Sequence, residues 1–193
     1  MSANPILPRM TPDEFLAYER GAADKHEFSD GQILAMAGGS PNHSLVQANL
    51  IGEVRSALKG RPCRVYSNDL KVRAGRADAF FYPDVTVVCG ENEYHDSFKD
   101  VVVNPKAIFE VLSPATEAFD RGEKFEAYNR LDSLKTFVLA SQEKRLVEVY
   151  SRLEGDDWKL SFFREGNVQL PDLEISLPIE EIYAQVDWAT SNS

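Results

Sequence analysis

Hydrophobic and polar positions along the chain follow two periods, one near 3.6 residues and one of two, and the switches between them outline the elements. "MTPDEFLAYERG" reads as a helix: Thr11 can cap it, Pro12 suits the first helical position, Glu14 completes a capping box and Gly21 stops it. "KHEFSDGQILAMAGG" alternates instead, and Ser29-Asp30-Gly31 inside it is a tight-turn signal, so this stretch predicts a β-hairpin. In "SPNHSLVQANLIGEVRSALKG" Ser40 caps and Pro41 takes the first turn of a second helix. Leu45, Ala48, Ile51 or Gly52, and Arg55 or Leu58 trace a stripe expected to pack on a sheet.

From Arg61 the period shortens. "CRVYS", "LKVRAG" and "AFFYPDVTVVC" predict three strands, followed by the polar loop "GENEYHDSFKD" and the strand "KAIFEVLS". "SPATEAFDRGEKFEAYNRL" predicts another long helix with Phe119, Phe125 and Tyr128 facing inward, weakened in its middle by Gly122. "KTFVLAS", "RLVEVYSR" and "WKLSFFRE" add strands, and "DLEISLPIEEIYAQVDW" a strand with a short terminal helix. The order predicts an α/β (α+β) fold, a mixed β-sheet flanked by helices, preceded by an N-terminal helix and β-hairpin. No repeat, low-complexity tract or linker-like shift interrupts it, so residues 1–193 are expected to form one domain.

Composition narrows the class. With 43% hydrophobic and 27% charged residues the chain has the make-up of an ordinary globular protein. No apolar run approaches the roughly 20 residues that span a bilayer, and "MSANPILPRM" lacks the apolar core of a signal peptide, so a cytoplasmic protein without a membrane partner is expected. Cys63 and Cys89 lie on separate predicted strands without zinc-site spacing, and are expected as free, mostly buried thiols. The net charge of -10 excludes a nonspecific nucleic-acid coat. Residues 52–76 run against that average: Arg55, Lys59, Arg61, Arg64, Lys71, Arg73 and Arg76 face only Glu53 and Asp69, a net charge of +5. Such a stretch is either a phosphate-binding surface or a solvated face with local bias.

Two acids stand where burial is expected. In "PDVTVV" alternation sets Asp84, Thr86 and Val88 on one face, and in "AIFEVL" it sets Glu110 with Ile108 and Leu112. A buried carboxylate is costly unless balanced. If the two strands are neighbours the acids converge at one end of the sheet, where a divalent cation removes their repulsion. Taken singly, each acid could equally cap a loop or pair with an arginine. Oxygen ligands of this type suit Mg²⁺ or Mn²⁺, and a cationic side chain such as Lys124, on the helix after Glu110, would complete a hydrolytic set.

"YPDVTVV" followed by "AIFEVLSPATEAFDRGEKFEAY" resembles the Uma family of bacterial restriction-endonuclease-like proteins, within the PD-(D/E)XK nuclease superfamily. "HEFSDGQILAMAG" with "SPNHS" is similar to that family's N-terminal half, and the resemblance runs over residues 11–152. It implies a restriction-endonuclease-like core in which Asp84 and Glu110 are the metal-binding acids and Mg²⁺, with Mn²⁺ as a substitute, is the cofactor. The superfamily's usual lysine position, two residues after Glu110, holds Leu112; the resemblance implies that Lys124 supplies the charge from the following helix. Glu27 matches a hairpin glutamate of the family, either a further metal or water ligand or an exposed hairpin acid.

The implied activity is metal-dependent hydrolysis of DNA phosphodiesters by a homodimer or higher homo-oligomer, with Arg55, Arg64, Lys71, Arg73 and Arg76 contacting the nucleic acid. The alternative is a catalytically weak or inactive nuclease fold serving as a binding or assembly module. His43 could serve the chemistry or merely bond backbone and solvent, Asp69 and Lys71 could line the site, and Tyr128 is expected to pack and steady its helix. Much of "RGEKFEAY" is expected to be a solvated face with weak ion pairs.

Overall fold

The structure is a computed structural model that describes residues 9–36, 38–75 and 79–188. Helix α1 (Pro12–Glu19) carries the expected capping box between Thr11 and Glu14. Strands β1 (His26–Ser29) and β2 (Gln32–Ala35) form the hairpin, and Asp30 and Gly31 both take positive φ, as a two-residue turn between twisted strands requires. Helix α2 (Pro41–Ala57) is capped by the Ser40 side chain, which accepts from the His43 N–H. Its stripe differs from the sequence expectation. Val46, Leu50, Val54 and Leu58 are buried, Leu45 and Ile51 flank them, and Ala48 is exposed. The (i, i+4) row of larger side chains wins because it removes more apolar area from water.

Strands β3 (Cys63–Ser67), β4 (Lys71–Ala74), β5 (Ala79–Phe81), β6 (Val85–Cys89), β7 (Val101–Val102) and β8 (Ala107–Leu112) follow. The stretch "AFFYPDVTVVC", expected as one strand, is two. β5 belongs to a five-stranded sheet of order β2-β1-β5-β4-β7, and β6 to a six-stranded one. Pro83, which has no N–H to offer a ladder, sits at the crossing between them. Likewise the long helix after β8 is broken. A short α3 (Glu117–Phe119) leads into a π-helical turn (Asp120–Lys124) and then α4 (Phe125–Asn129), with Gly122 inside the turn. Strands β9 (Thr136–Ser141), β10 (Val147–Arg152) and β11 (Trp158–Phe163) complete the mixed sheet, ordered β11-β10-β9-β8-β6-β3 with only β8 and β9 parallel. Then β12 (Asn167–Leu170), which the sequence pattern did not reveal, pairs with β13 (Ile175–Pro178) before α5 (Ile179–Ile182).

The inner strands β6, β8 and β9 of the six-stranded sheet are covered on both faces, which explains why they are almost wholly apolar. Val85, Val87, Phe109 and Val111 point toward α2, β12, β13 and α5. Val88, Ile108 and Leu112 point toward α4 and the five-stranded sheet, around a fully buried Tyr128. Helix α1 covers the far side of the five-stranded sheet through Phe15, Leu16, Phe28 and Phe80. Among the described residues no helix is long and apolar enough to cross a membrane.

One expectation about the cysteines is overturned. β3 pairs with β6 in a register that sets Cys63 opposite Cys89, and the two form a disulfide, half-buried. Twenty-six residues separate them in sequence, and only the strand pairing makes them neighbours.

The stripe of α2 is tested by substitution. Leu50→Ala is expected to cost about 3 kcal/mol in urea denaturation, whereas Ala48→Gln changes stability by less than about 0.5 kcal/mol. Comparable losses at both positions would contradict the helix orientation.

Candidate active site

The crossing from β5 to β6 creates the site. At Tyr82, Pro83 and Asp84 the backbone leaves one sheet before it enters the other, so its amides need acceptors outside a ladder. Two glutamates supply them. The Tyr82 N–H donates to Glu27 Oε1 at 3.1 Å, and the Asp84 N–H donates to Glu110 Oε2 at 3.3 Å. In return the Val111 N–H donates to Asp84 Oδ2 at 2.7 Å. β6 runs antiparallel to β8 with Val85 opposite Phe109, so Asp84 and Glu110 meet where the pairing ends.

Lys124 enters from the π-helical turn. Its Nζ stands 2.9 Å from Glu27 Oε1, 3.3 Å from Asp120 Oδ1 and 3.4 Å from Glu110 Oε1. Tyr128, one turn on, donates its hydroxyl to Glu110 Oε1 at 3.1 Å. Gln47 and His43, four residues apart on one face of α2, hold Asp84 from the other side: Gln47 Nε2 donates to Oδ1 at 3.0 Å, and His43 Nε2 lies 3.4 Å from Oδ2. Gly39 leaves room for that imidazole, since a Cβ there would stand 3.0 Å from His43 Nδ1. Glu27, Asp84, Glu110, Asp120 and Lys124 are each no more than 8% exposed. They lie against a cleft of about 760 Å³, walled on one side by residues 34–36 and 38–40 and on the other by residues 113–116 and Phe119.

Burial sets the protonation behaviour. Desolvation raises the pKa of Glu110 well above the usual carboxylate range; Lys124 opposes the shift, and Asp120, Asp84 and Glu27 reinforce it. Glu27 is raised for the same first reason, again against Lys124. Burial works against the Lys124 charge, but Glu110, Glu27 and Asp120 outweigh it and the ammonium is held more firmly than usual. His43 behaves similarly: burial works against its charge, but Asp84, with Asp120 and the Val111 backbone, outweighs it, so its pKa is raised. Four carboxylates thus share one lysine and one histidine, a site short of positive charge.

That shortage, and a donor set of hard oxygens, fits a divalent cation of the Mg²⁺ or Mn²⁺ type. Among the described residues no three His, Cys, Asp or Glu side chains come together as a ready-made cage. Mg²⁺ needs none, because it binds through one or two carboxylates and takes its remaining oxygens from water and phosphate. Asp84 and Glu110 are the pair that could hold it.

The structure therefore brings Asp84, Glu110, Lys124, Glu27 and His43 together. Glu27 is not an exposed hairpin acid but a buried one, and "RGEKFEAY" is not mainly a solvated face, since Lys124, Ala127 and Tyr128 are buried in it. Tyr128 packs as expected and also reaches Glu110. Asp120, Gln47 and Tyr82 were missed. The signals were faint: Asp120 is four residues before Lys124, and Gln47 four after His43.

The basic stretch is not gathered at the cleft. Arg55 is exposed on the last turn of α2, and Arg64 on β3 donates to the Gly90 carbonyl at 2.6 Å. Lys71 is buried, 3.0 Å from Asp100 Oδ2 and donating to the Tyr82 hydroxyl at 3.2 Å. Arg73 lies 3.1 Å from His95 Nδ1, the exposed Asp69 pairs with Lys25, and Arg76 lies outside the described residues. β3 and β4, adjacent in sequence, belong to different sheets, so their cations diverge. Lys71 instead joins Tyr82, Glu19, Asp100 and Arg20 in a partly buried polar chain that anchors α1 to the five-stranded sheet.

Residues 12–180 match the model of the Uma2 family, described as "Putative restriction endonuclease". Two uncharacterized proteins of Synechocystis are similar along most of their length. One is 33% identical over 92% of this chain and 93% of its own, the other 30% identical over 83% and 91%. A crystal structure from Anabaena variabilis, titled "a putative nuclease belonging to DUF820", superposes with a TM-score of 0.74 over 91% of this chain and 98% of that one, at 20% identity, and supports the fold.

A raised carboxylate pKa means that the folded state binds its proton more tightly than the unfolded chain. The stability it contributes is full below the ordinary glutamate range and is lost as pH rises through the folded-state value. Without divalent ions the protein is expected to become less stable as pH rises above the ordinary glutamate range, and Glu110→Gln to show a shallower decline, read from urea midpoints at each pH. A steeper decline in the variant would contradict the assignment.

Proposed function

The chain belongs to the Uma2 family of restriction-endonuclease-like proteins, and from that premise we propose that it is a metal-dependent endonuclease that hydrolyses phosphodiester bonds of DNA. The observation that carries the reading is a buried group of four carboxylates against a cleft, Asp84 beside Glu110 and the trio Glu27, Glu110 and Asp120 around Lys124. A phosphodiester would meet net negative charge there, so a divalent ion must accompany it. Mg²⁺ or Mn²⁺, held by Asp84 and Glu110, would supply a Lewis acid that favours ionisation of water and neutralises charge developing on the phosphate.

The chain's own residues account for the remaining roles. Gln47 and the Val111 N–H fix the two oxygens of Asp84, and Tyr128 with the Asp84 N–H fixes those of Glu110, so both acids are oriented before anything binds. Lys124, on one ammonium, balances Glu27, Glu110 and Asp120 and can turn a donor toward a phosphate oxygen. Glu27, with its raised pKa, is suited to accept the proton of an attacking water at neutral pH. Leu112 sits in the core beneath the helix, and Lys124 stands in for the lysine that its position would otherwise carry. Exposed Arg55 and Arg64 remain for contacts outside the cleft, whereas Lys71 and Arg73 support the fold.

Purified protein is expected to cleave plasmid DNA with Mg²⁺ or Mn²⁺, with Asp84→Asn, Glu110→Gln and Lys124→Met each slowing cleavage by at least about 10²-fold. Calorimetry gives a readout free of catalysis. Mg²⁺ binding should release protons, should weaken as pH falls toward 5, and should be lost in Asp84→Asn. Folded protein that binds no Mg²⁺ at millimolar concentration would overturn the reading.

A further inference from the structure

The six-stranded sheet ends at β11, whose outer edge pairs with no strand among the described residues. Of the five large hydrophobic side chains exposed among the described residues, Leu153, Leu160 and Phe162 all belong to the β10–β11 hairpin. Leu160 and Phe162 share a face of β11 with Trp158, and Phe162 is 54% exposed. A strand edge left open to solvent is ordinarily guarded by charge, proline or a bulge. The opposite edge, β3, carries the exposed Arg64 and no exposed large hydrophobic.

Charge points to what covers this edge. The chain carries -10, so two copies repel over most of their surface. Residues 152–165 are nearly neutral: Arg152, Lys159 and Arg164 stand against Glu154, Asp156, Asp157 and Glu165. A second copy can approach here with little net repulsion, on an edge that is apolar as well as nearly neutral.

We propose that β11 is the interface of a homodimer in which two copies pair antiparallel about a two-fold axis at Leu160, continuing one sheet through both. When the axis is normal to the sheet, facing residues must lie on the same face, so the register centres on a residue. Two registers pair five of the six residues of β11. Centring on Ser161 sets Asp157 against the partner subunit's Glu165, like charges opposed. Centring on Leu160 sets Leu160 on itself and Trp158 against the partner's Phe162. It also brings Asp156, 94% exposed and 3.6 Å from its own Arg152, opposite the partner's Arg164.

Sedimentation of the full chain at micromolar concentration tests this. The protein is expected to be a dimer that Phe162→Asp converts to a monomer. Asp156 and Arg164 are exposed and outside the strand, so their exchange tests the contact without threatening the fold. Arg164→Asp should weaken dimerisation about tenfold, and adding Asp156→Arg should restore it. Because Cys63 and Cys89 are bonded to each other, a cysteine at position 160 has only its symmetry mate to join, so Leu160→Cys should oxidise to a covalent dimer while Ser161→Cys should not. A monomeric wild type, a dimer indifferent to Phe162→Asp, or cross-linking through Ser161→Cys alone would overturn the proposal.

Discussion

Lys124 holds together a group of side chains that would otherwise repel one another. Its ammonium is, among the described residues, the one lysine or arginine charge set among Glu27, Glu110 and Asp120, in a place where water scarcely reaches. Desolvating a carboxylate costs several kcal/mol, and a buried cluster of them is tolerated only where a cation, hydrogen-bond donors or protonation compensates. All three operate here. Lys124 supplies charge, the amides of Tyr82, Asp84 and Val111 supply donors, and the raised pKa values of Glu110 and Glu27 leave protonation as the remaining relief.

The backbone and the acids depend on one another. The chain can cross between two sheets at Tyr82–Asp84 because glutamates from β1 and β8 accept the amides that no ladder satisfies. Those glutamates are held in place by the same bonds. Pro83 fits the arrangement because it brings no donor of its own. The π-helical turn plays a matching part on the other wall, since it carries Asp120 and Lys124 at its two ends.

The two long elements expected from the pattern were broken, and both breaks lie at the site. A continuous strand through Pro83 would have kept Asp84 within a ladder. A continuous α-helix through Gly122 would have kept the narrower i to i+4 turn, whereas the π-turn widens the backbone that carries Asp120 and Lys124. Local rules fail there because the tertiary contacts that compensate them come from elements far away in sequence: Glu27 lies more than fifty residues before Asp84, and Gln47 thirty-seven. The same holds for Cys63 and Cys89, which become partners only through the register of β3 on β6.

Alternation and spacing alone determined the capping of α1, the hairpin turn and the two faces of β6 and β8, whereas the meeting of Asp84 with Glu110 waited on the pairing of those strands. The first three follow from the short-range geometry of one or two strands or a helix turn. Tertiary structure decided the rest. It turned Glu27 from a hairpin acid into a buried neighbour of Lys124, drew Lys71 into a chain that anchors α1, and scattered the basic stretch over separate sheets. Burial and charge balance depend on what lies across the chain rather than along it, and a linear pattern carries no record of that.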